Sequence, residues 1–252
     1  MEPGKKQEWP VRCLWYWSVG SVNEDVRSSF KVPCIFTGDR LCGPGFETPC
    51  NRKRTRMADP MLKEALVRFD EFLDRVAQAD FEEPTAMTLA TTDSAGHVTA
   101  RIVLLRGHDE RGFVFYTNSE SRKGHQLCEN ARAALCFYWD GLGEQVRVEG
   151  TVEAVSREES DTYWAGRPRD ARIGGWASRQ SRPLASRQEL AERIAKYEQQ
   201  FSERDVPRPE HWFGFRVVPD RIEVWLRGAA RLHQRTVYAR GEQGWTQQLL
   251  YP

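Results

Sequence analysis

Long hydrophobic runs are missing from this chain of 252 residues. None approaches the roughly 20 consecutive apolar residues that carry a helix across a bilayer, so no membrane partner is expected. A charge excess of either sign is missing too. Lys and Arg number 37 against 36 Asp and Glu, a formal net charge of +1. That balance excludes a general attraction to nucleic acid or anionic lipid, and any anion site must be local. The N-terminus lacks the continuous apolar core of a signal peptide, because Arg12, Asp25 and Arg27 interrupt it. A cytoplasmic location is the expectation. Cysteine is scarce after residue 50: Cys13, Cys34, Cys42 and Cys50 precede it, and only Cys128 and Cys136 follow. The four early spacings match no CxxC zinc pattern, and nothing else points to the oxidising compartment that a disulfide framework needs. No metal site is expected, and the two later thiols read as core or near-core groups. Internal repeats are absent as well.

What is present divides sharply near residue 57. Residues 1–56 show no sustained helical or strand period and end in the basic run Asn51-Arg52-Lys53-Arg54-Thr55-Arg56. They read as a disordered or mis-assigned N-terminal extension. A targeting or interaction segment is the alternative, which the Trp15-Tyr16-Trp17 cluster keeps open. From Met57 the pattern becomes regular, and 57–252 reads as one functional domain. Asp59 is placed as an N-cap with Pro60 at the first helical position.

Leu62, Leu66, Phe69, Phe72 and Leu73 recur at helical spacing, which predicts an amphipathic helix over 60–79. Strands are predicted over 87–91, 98–105, 113–117, 133–139, 145–155, 213–218, 221–226 and 236–239, with turns at Asp93-Ser94-Ala95-Gly96 and Asp109-Glu110-Arg111-Gly112. Helices are predicted over 119–130, 157–166 and 186–203. Many short strands without alternating βαβ units argue for a barrel with helices packed outside.

Four segments carry side chains suited to chemistry. Arg167-Pro168-Arg169-Asp170-Ala171-Arg172-Ile173-Gly174 and Arg231-Leu232-His233-Gln234-Arg235 each group several cations or donors beside tryptophans: Trp164 and Trp176 for the first, Trp225 for the second. Guanidinium forks beside flat aromatic surfaces suit a ligand that is planar at one end and phosphorylated at the other. Tyr116-Thr117-Asn118-Ser119-Glu120-Ser121-Arg122-Lys123-Gly124 runs from a strand into a helix start, where phosphate binds readily. An ordinary capped helix with basic surface residues fits that local pattern equally well. Arg101-Ile102-Val103-Leu104-Leu105-Arg106 is a strand with an arginine at each end. Residues five apart point to opposite faces of a regular strand, so by itself this segment reads as solvated strand ends. Gln145, Gln180 and Ser181 alone read as a strand edge and a helix end.

Together these segments resemble the pyridoxine/pyridoxamine 5′-phosphate oxidase family, over about Pro60 to Pro252. The matching strings are Arg101-Ile102-Val103-Leu104-Leu105, Phe115-Tyr116-Thr117-Asn118, Ser121-Arg122-Lys123-Gly124, Gln145-Val146, Arg167-Pro168-Arg169-Asp170, Ile173-Gly174, Gln180-Ser181, and Arg231-Leu232-His233 with Arg235. The resemblance implies a mainly β fold with flanking helices, an FMN-binding split β-barrel that is homodimeric, with FMN at the subunit interface. It implies FMN contacts from the Arg101–Arg106 segment, Tyr116, Thr117, Ser121, Arg122, Lys123, Gln180 and Ser181. Gln145, Trp225 and Arg235 would reach FMN from elsewhere in the dimer. Arg106, Tyr163, Arg167, Ala171, Arg231 and His233 would hold the vitamin B6 phosphate substrate, with Arg231 and His233 expected to position it for catalysis.

The implied reaction converts pyridoxine 5′-phosphate or pyridoxamine 5′-phosphate to pyridoxal 5′-phosphate. A hydride passes from C4′ to flavin N5, and O2 is the final acceptor, giving H2O2. Two positions depart from the family pattern. Arg106 stands where the family commonly has lysine, and Ala171 where it commonly has serine. The second change removes one hydroxyl from the phosphate's surroundings, worth about 1 kcal/mol, with Arg172 as a possible replacement donor. Alternatives are a flavin oxidase for another aromatic substrate, a non-catalytic FMN or pyridoxal-phosphate binder, and a plain structural barrel.

Overall fold

The computed structural model describes residues 36–37, 40–41 and 59–252. Almost all of the expected N-terminal extension lies outside the described residues. Within it, β1 (Phe36–Thr37) and β2 (Arg40–Leu41) form a short antiparallel pair.

The first helix, α1 (Pro60–Gln78), begins as its sequence requires. Asp59 accepts a hydrogen bond from the Met61 N–H at 3.0 Å, and Pro60 occupies the first turn, where a missing N–H costs nothing. The other carboxylate oxygen of Asp59 accepts from the Trp245 N–H at 2.9 Å, so one side chain caps the helix and ties it to the C-terminal hairpin. Leu62, Ala65, Leu66, Phe69, Phe72 and Val76 form the buried stripe. Phe69 meets Phe113 and Phe137 edge-on at 5.2 and 5.0 Å, the geometry ring quadrupoles favour.

Nine strands form one curled antiparallel sheet: β3 (Ala86–Thr92), β4 (Val98–Leu104), β5 (Gly107–Asp109), β6 (Gly112–Asn118), β7 (Arg132–Trp139), β8 (Glu144–Ala154), β9 (Trp212–Leu226), β10 (Gln234–Gly241) and β11 (Gly244–Leu250). The 15-residue β9 organises it. One edge of β9 pairs with β8; the other pairs with β6 over Trp212–Val217 and with β10 over Arg221–Leu226. The register shifts at Glu149/Gly150, opposite Pro219, which has no N–H to give the ladder. A Cβ on Gly150 would lie 2.0 Å from the Val218 carbonyl oxygen, so only glycine allows this approach.

The chain leaves β4 through Leu105 and Arg106. Their N–H groups donate to the Thr85 and Val114 carbonyls at 2.9 and 2.8 Å, linking the β3–β4 side of the sheet to β6. The result is a split barrel whose interior merges with the α1 stripe in one core.

Helices α2 (Arg122–Glu129), α3 (Arg157–Ala165), α4 (Arg169–Ala177) and α5 (Arg187–Gln200) flank the sheet. Trp164, Ile173, Phe201, Val206 and Trp212 form a second, smaller core. Several boundaries differ from expectation. The predicted strands 213–218 and 221–226 are one strand, because the bulge absorbs Pro219 without ending β9. The predicted helix 119–130 starts at Arg122, since Ser121 takes the capping position. Besides β1 and β2, three of the strands and α-helices were not predicted: β5, β11 and α4. The apolar stripe of α4 is too short, at Ile173 and Ala177, to show a period. The β11 face is mostly exposed, so no alternation of buried positions marks it.

Candidate active site

The end of β6 and the start of α2 place a cluster of donors. Ser121 caps α2: its Oγ accepts from the Gly124 N–H at 3.4 Å and donates to the Asn118 carbonyl at 2.7 Å. Gly124 must lack a side chain, because a Cβ there would lie 2.1 Å from the Ser119 carbonyl oxygen. Lys123 is buried and donates to Gln180 Oε1 at 2.8 Å and Ser121 Oγ at 3.2 Å. Burial, with the charge of Arg101 adding to it, lowers its pKa to about 8. Thr117 Oγ1 donates to the same Gln180 oxygen at 3.2 Å. Arg101 reaches across the sheet to the Leu89 carbonyl at 3.0 Å, to Thr91 Oγ1 at 2.7 Å and to Thr99 Oγ1. Its burial, with Arg122 nearby, also lowers its pKa.

A second group comes from α3 and the start of α4. The rings of Tyr116 and Tyr163 stack at 3.9 Å and 6°, and Tyr163 lies parallel to Trp212 at 5.8 Å and 2°. Arg167 sits with its guanidinium carbon 4.5 Å from the Trp212 ring centroid and 5.4 Å from that of Trp164, a cation–π arrangement that fixes the fork. Burial lowers the Arg167 pKa.

Both groups line one open cleft of about 590 Å³, together with Ile102, Val103, Leu104, Arg106, Pro168 and Ala171. That volume suits a cofactor or drug-sized ligand. Among the described residues, Arg101, Arg106, Arg122, Lys123 and Arg167 have no carboxylate partner, whereas Arg75, Arg111, Arg172, Arg208, Arg216 and Arg235 each have one. Unpaired cations, of which Arg101, Lys123 and Arg167 are partly desolvated, attract an anion, the more so beside a helix N-terminus.

Arg101 and Arg106 share this cleft, contrary to the opposite-face expectation. The strand ends at Leu104, so strict alternation no longer governs Arg106. Leu105 turns into the barrel core, and Ser121 lies buried beneath Lys123. Arg122 and Ser181 line an adjoining depression of about 310 Å³. Arg172 does not face the cleft; its Nη1 donates to Asp205 at 2.6 Å, so it does not replace the missing hydroxyl at 171. Sequence reading missed Trp212, whose bulk backs Arg167 and the tyrosine stack. Its place in a strand gave no sign of that role.

Gln145, Trp225, Arg231, His233 and Arg235 lie outside the cleft. Gln145, Trp225 and Arg235 are direct neighbours in one row across β8, β9 and β10. Arg235 Nε donates to the buried Glu223 at 2.8 Å, and the His233 ring lies 4.5 Å from that of Trp225. Each chain thus carries two separate pieces of the expected site.

Known proteins are similar to this chain in sequence and fold. The sequence model described as pyridoxamine 5′-phosphate oxidase matches residues 73–201. That of the pyridoxine 5′-phosphate oxidase C-terminal dimerisation region matches residues 212–252. A pyridoxine/pyridoxamine 5′-phosphate oxidase of Myxococcus xanthus (strain DK1622) is 54% identical over 185 residues, 73% of this chain and 90% of that protein. One of Alkalilimnicola ehrlichii is 53% identical over 194 residues, 76% of this chain and 99% of that protein. Among solved structures, PhzG from Burkholderia lata 383, in complex with tetrahydrophenazine-1-carboxylic acid, superposes with a TM-score of 0.71 at 30% identity, covering 79% of this chain and 95% of that one. On the family models and the full-length relatives, this chain belongs to the pyridoxamine 5′-phosphate oxidase family.

Proposed function

We propose that the chain is an FMN-dependent oxidase of pyridoxamine 5′-phosphate and pyridoxine 5′-phosphate, working as a homodimer. The observation that carries this reading is the convergence of unpaired cations and stacked aromatics on one cleft. The donor set fits FMN. Arg101, Arg122 and Lys123 with the free N–H groups of the first turn of α2 suit the flavin phosphate, and Gln180 and Thr117 are held beside them. Bound there, FMN would supply the redox chemistry, as acceptor for a hydride from C4′ and donor of the two electrons to O2 that give H2O2.

The protein's own work is positional. Arg167, held against two indole rings, binds the substrate phosphate with Arg106 and Tyr163. Gln145, Trp225 and Arg235 of the second protomer complete the flavin site, and Arg231 and His233 hold the substrate ring. The pyridoxamine product is first an imine, whose hydrolysis releases ammonia and pyridoxal 5′-phosphate. The test takes the purified full chain, adds FMN and pyridoxamine 5′-phosphate in air, and follows pyridoxal 5′-phosphate and peroxide together. A yellow protein that forms neither sinks this reading.

A second reading is a flavin oxidase of another aromatic substrate. It draws on the likeness to PhzG and on Ala171, which takes a hydroxyl from the substrate end. Oxidation of a dihydroaromatic carboxylic acid, with pyridoxamine 5′-phosphate left untouched, favours it.

A further inference from the structure

The turn between β9 and β10 carries both residues given the positioning role, and its hydrogen bonds distinguish the two nitrogens of His233. The Gly228 N–H donates to His233 Nδ1 at 3.2 Å. A backbone N–H only donates, so Nδ1 is the bare, accepting nitrogen and the ring proton lies on Nε2. Among the described residues, Nε2 has no hydrogen-bond partner. The turn is closed twice more, by the Leu232 N–H on the Ala229 carbonyl at 3.0 Å and the His233 N–H on the Arg231 carbonyl at 2.9 Å.

Such tightness has structural costs. Ala230 and Arg231 both take left-handed backbone, with φ of 52° and 63°, where side chains are disfavoured. A Cβ on Gly228 would lie 2.0 Å from the Leu232 carbonyl oxygen, so no other residue fits there without opening the turn. Trp225 then packs its indole at 39° to the imidazole and holds the ring plane.

We propose that this turn locks His233 as the Nε2–H tautomer, so that His233 meets the ligand only as a hydrogen-bond donor to an anionic oxygen. Gly228 and Trp225 are positioning residues for that donor. The assignment of His233 to the substrate rests on the oxidase reading; the tautomer does not.

The first test is nitrogen-15 magnetic resonance of the full chain labelled at its five histidines, with His233 assigned through the His233→Gln variant. The expected result is a bare Nδ1 and a protonated Nε2. An Nδ1–H ring, or two averaged nitrogens, overturns the proposal. The second test is kinetic. A glutamine amide lies near the Nε2 position and an asparagine amide near Nδ1, so His233→Gln keeps kcat/KM within about tenfold while His233→Asn loses about 100-fold, the span of one hydrogen bond to a charged group. Equal losses in the two variants count against it. Binding to His233→Asn then locates the oxygen. Weakened inorganic phosphate places it on the phosphate, weakened pyridoxal 5′-phosphate alone places it on the ring, and no weakening of either overturns the donor role. Absence of turnover in the unaltered protein removes the oxidase reading and leaves the resonance result standing.

Discussion

Lys123 shows how one residue's surroundings set its charge. Its folded pKa, lowered to about 8, means the ammonium is held at neutral pH and lost as pH rises through that value. A flavin phosphate is already dianionic there, its second pKa being about 6. Affinity of the apo-protein for FMN is therefore expected to fall by about 10- to 100-fold as pH rises across this window, the worth of a charge-assisted bond. Fluorescence titrations of FMN at stepped pH check it, and Lys123→Met removes this pH step while binding weakly throughout. Stability runs the opposite way. Between about 8 and the ordinary ~10.4 the unfolded chain binds the proton better than the folded one, so this group adds stability as pH rises. Ala171 offers a second residue-scale test. It lines the cleft at the end proposed for the substrate, and Arg172 is engaged with Asp205. Ala171→Ser is expected to lower KM for the phosphorylated substrate a few-fold with kcat nearly unchanged, by adding one hydroxyl worth about 1 kcal/mol. Steady-state kinetics with both substrates decide it.

Among the elements, α1 is the clearest case of sequence writing structure. Its cap and its proline agree, its buried stripe keeps four of the five predicted residues with Leu73 only partly buried, and it ends one residue before the expected boundary. Phe69 is fully buried among Phe113, Phe137 and Trp139. Phe69→Ala is expected to cost about 3–5 kcal/mol in urea unfolding, from lost burial plus the cavity left behind. Short elements were less legible. The arginines at 167 and 169 stand out in the sequence, yet nothing local shows that Arg169 opens a helix after Pro168. That helix is held by packing of Ile173 in one cluster with Trp164 of the preceding helix and Phe201, the latter distant in the chain. β11 escaped notice because its side chains are mostly exposed and its partner, β10, supplies the order through backbone pairing.

At the scale of the whole molecule, the site is divided. One chain presents the cleft and, apart from it, the row Gln145–Trp225–Arg235 with His233 beside it. A homodimer that joins each cleft to the other protomer's row predicts complementation. Mixing Lys123→Met and His233→Asn chains under exchange should restore about a quarter of wild-type activity, since half the random dimers then carry one intact site of two. Activity that stays at the level of the separate variants means one chain supplies its own complete site. The continuously described residues begin at Asp59, and protein 57–252 is expected to bind FMN and turn over like the full chain. Loss of either on truncation assigns a role to the first 56 residues.

By itself the sequence determined the barrel class, α1, most strands and the identities of the cleft residues. Those features rest on local periodicity, caps and turns, and on ordered strings that resemble a family. Only the tertiary structure decided that Arg101 and Arg106 face one cleft, that Arg172 belongs to Asp205, that Trp212 backs Arg167, and that the Gly228 N–H meets His233 Nδ1. The first depends on where a strand ends, the second and third on contacts between residues far apart in the chain, and the last on the turn from Gly228 to His233, whose left-handed backbone at Ala230 and Arg231 no spacing encodes.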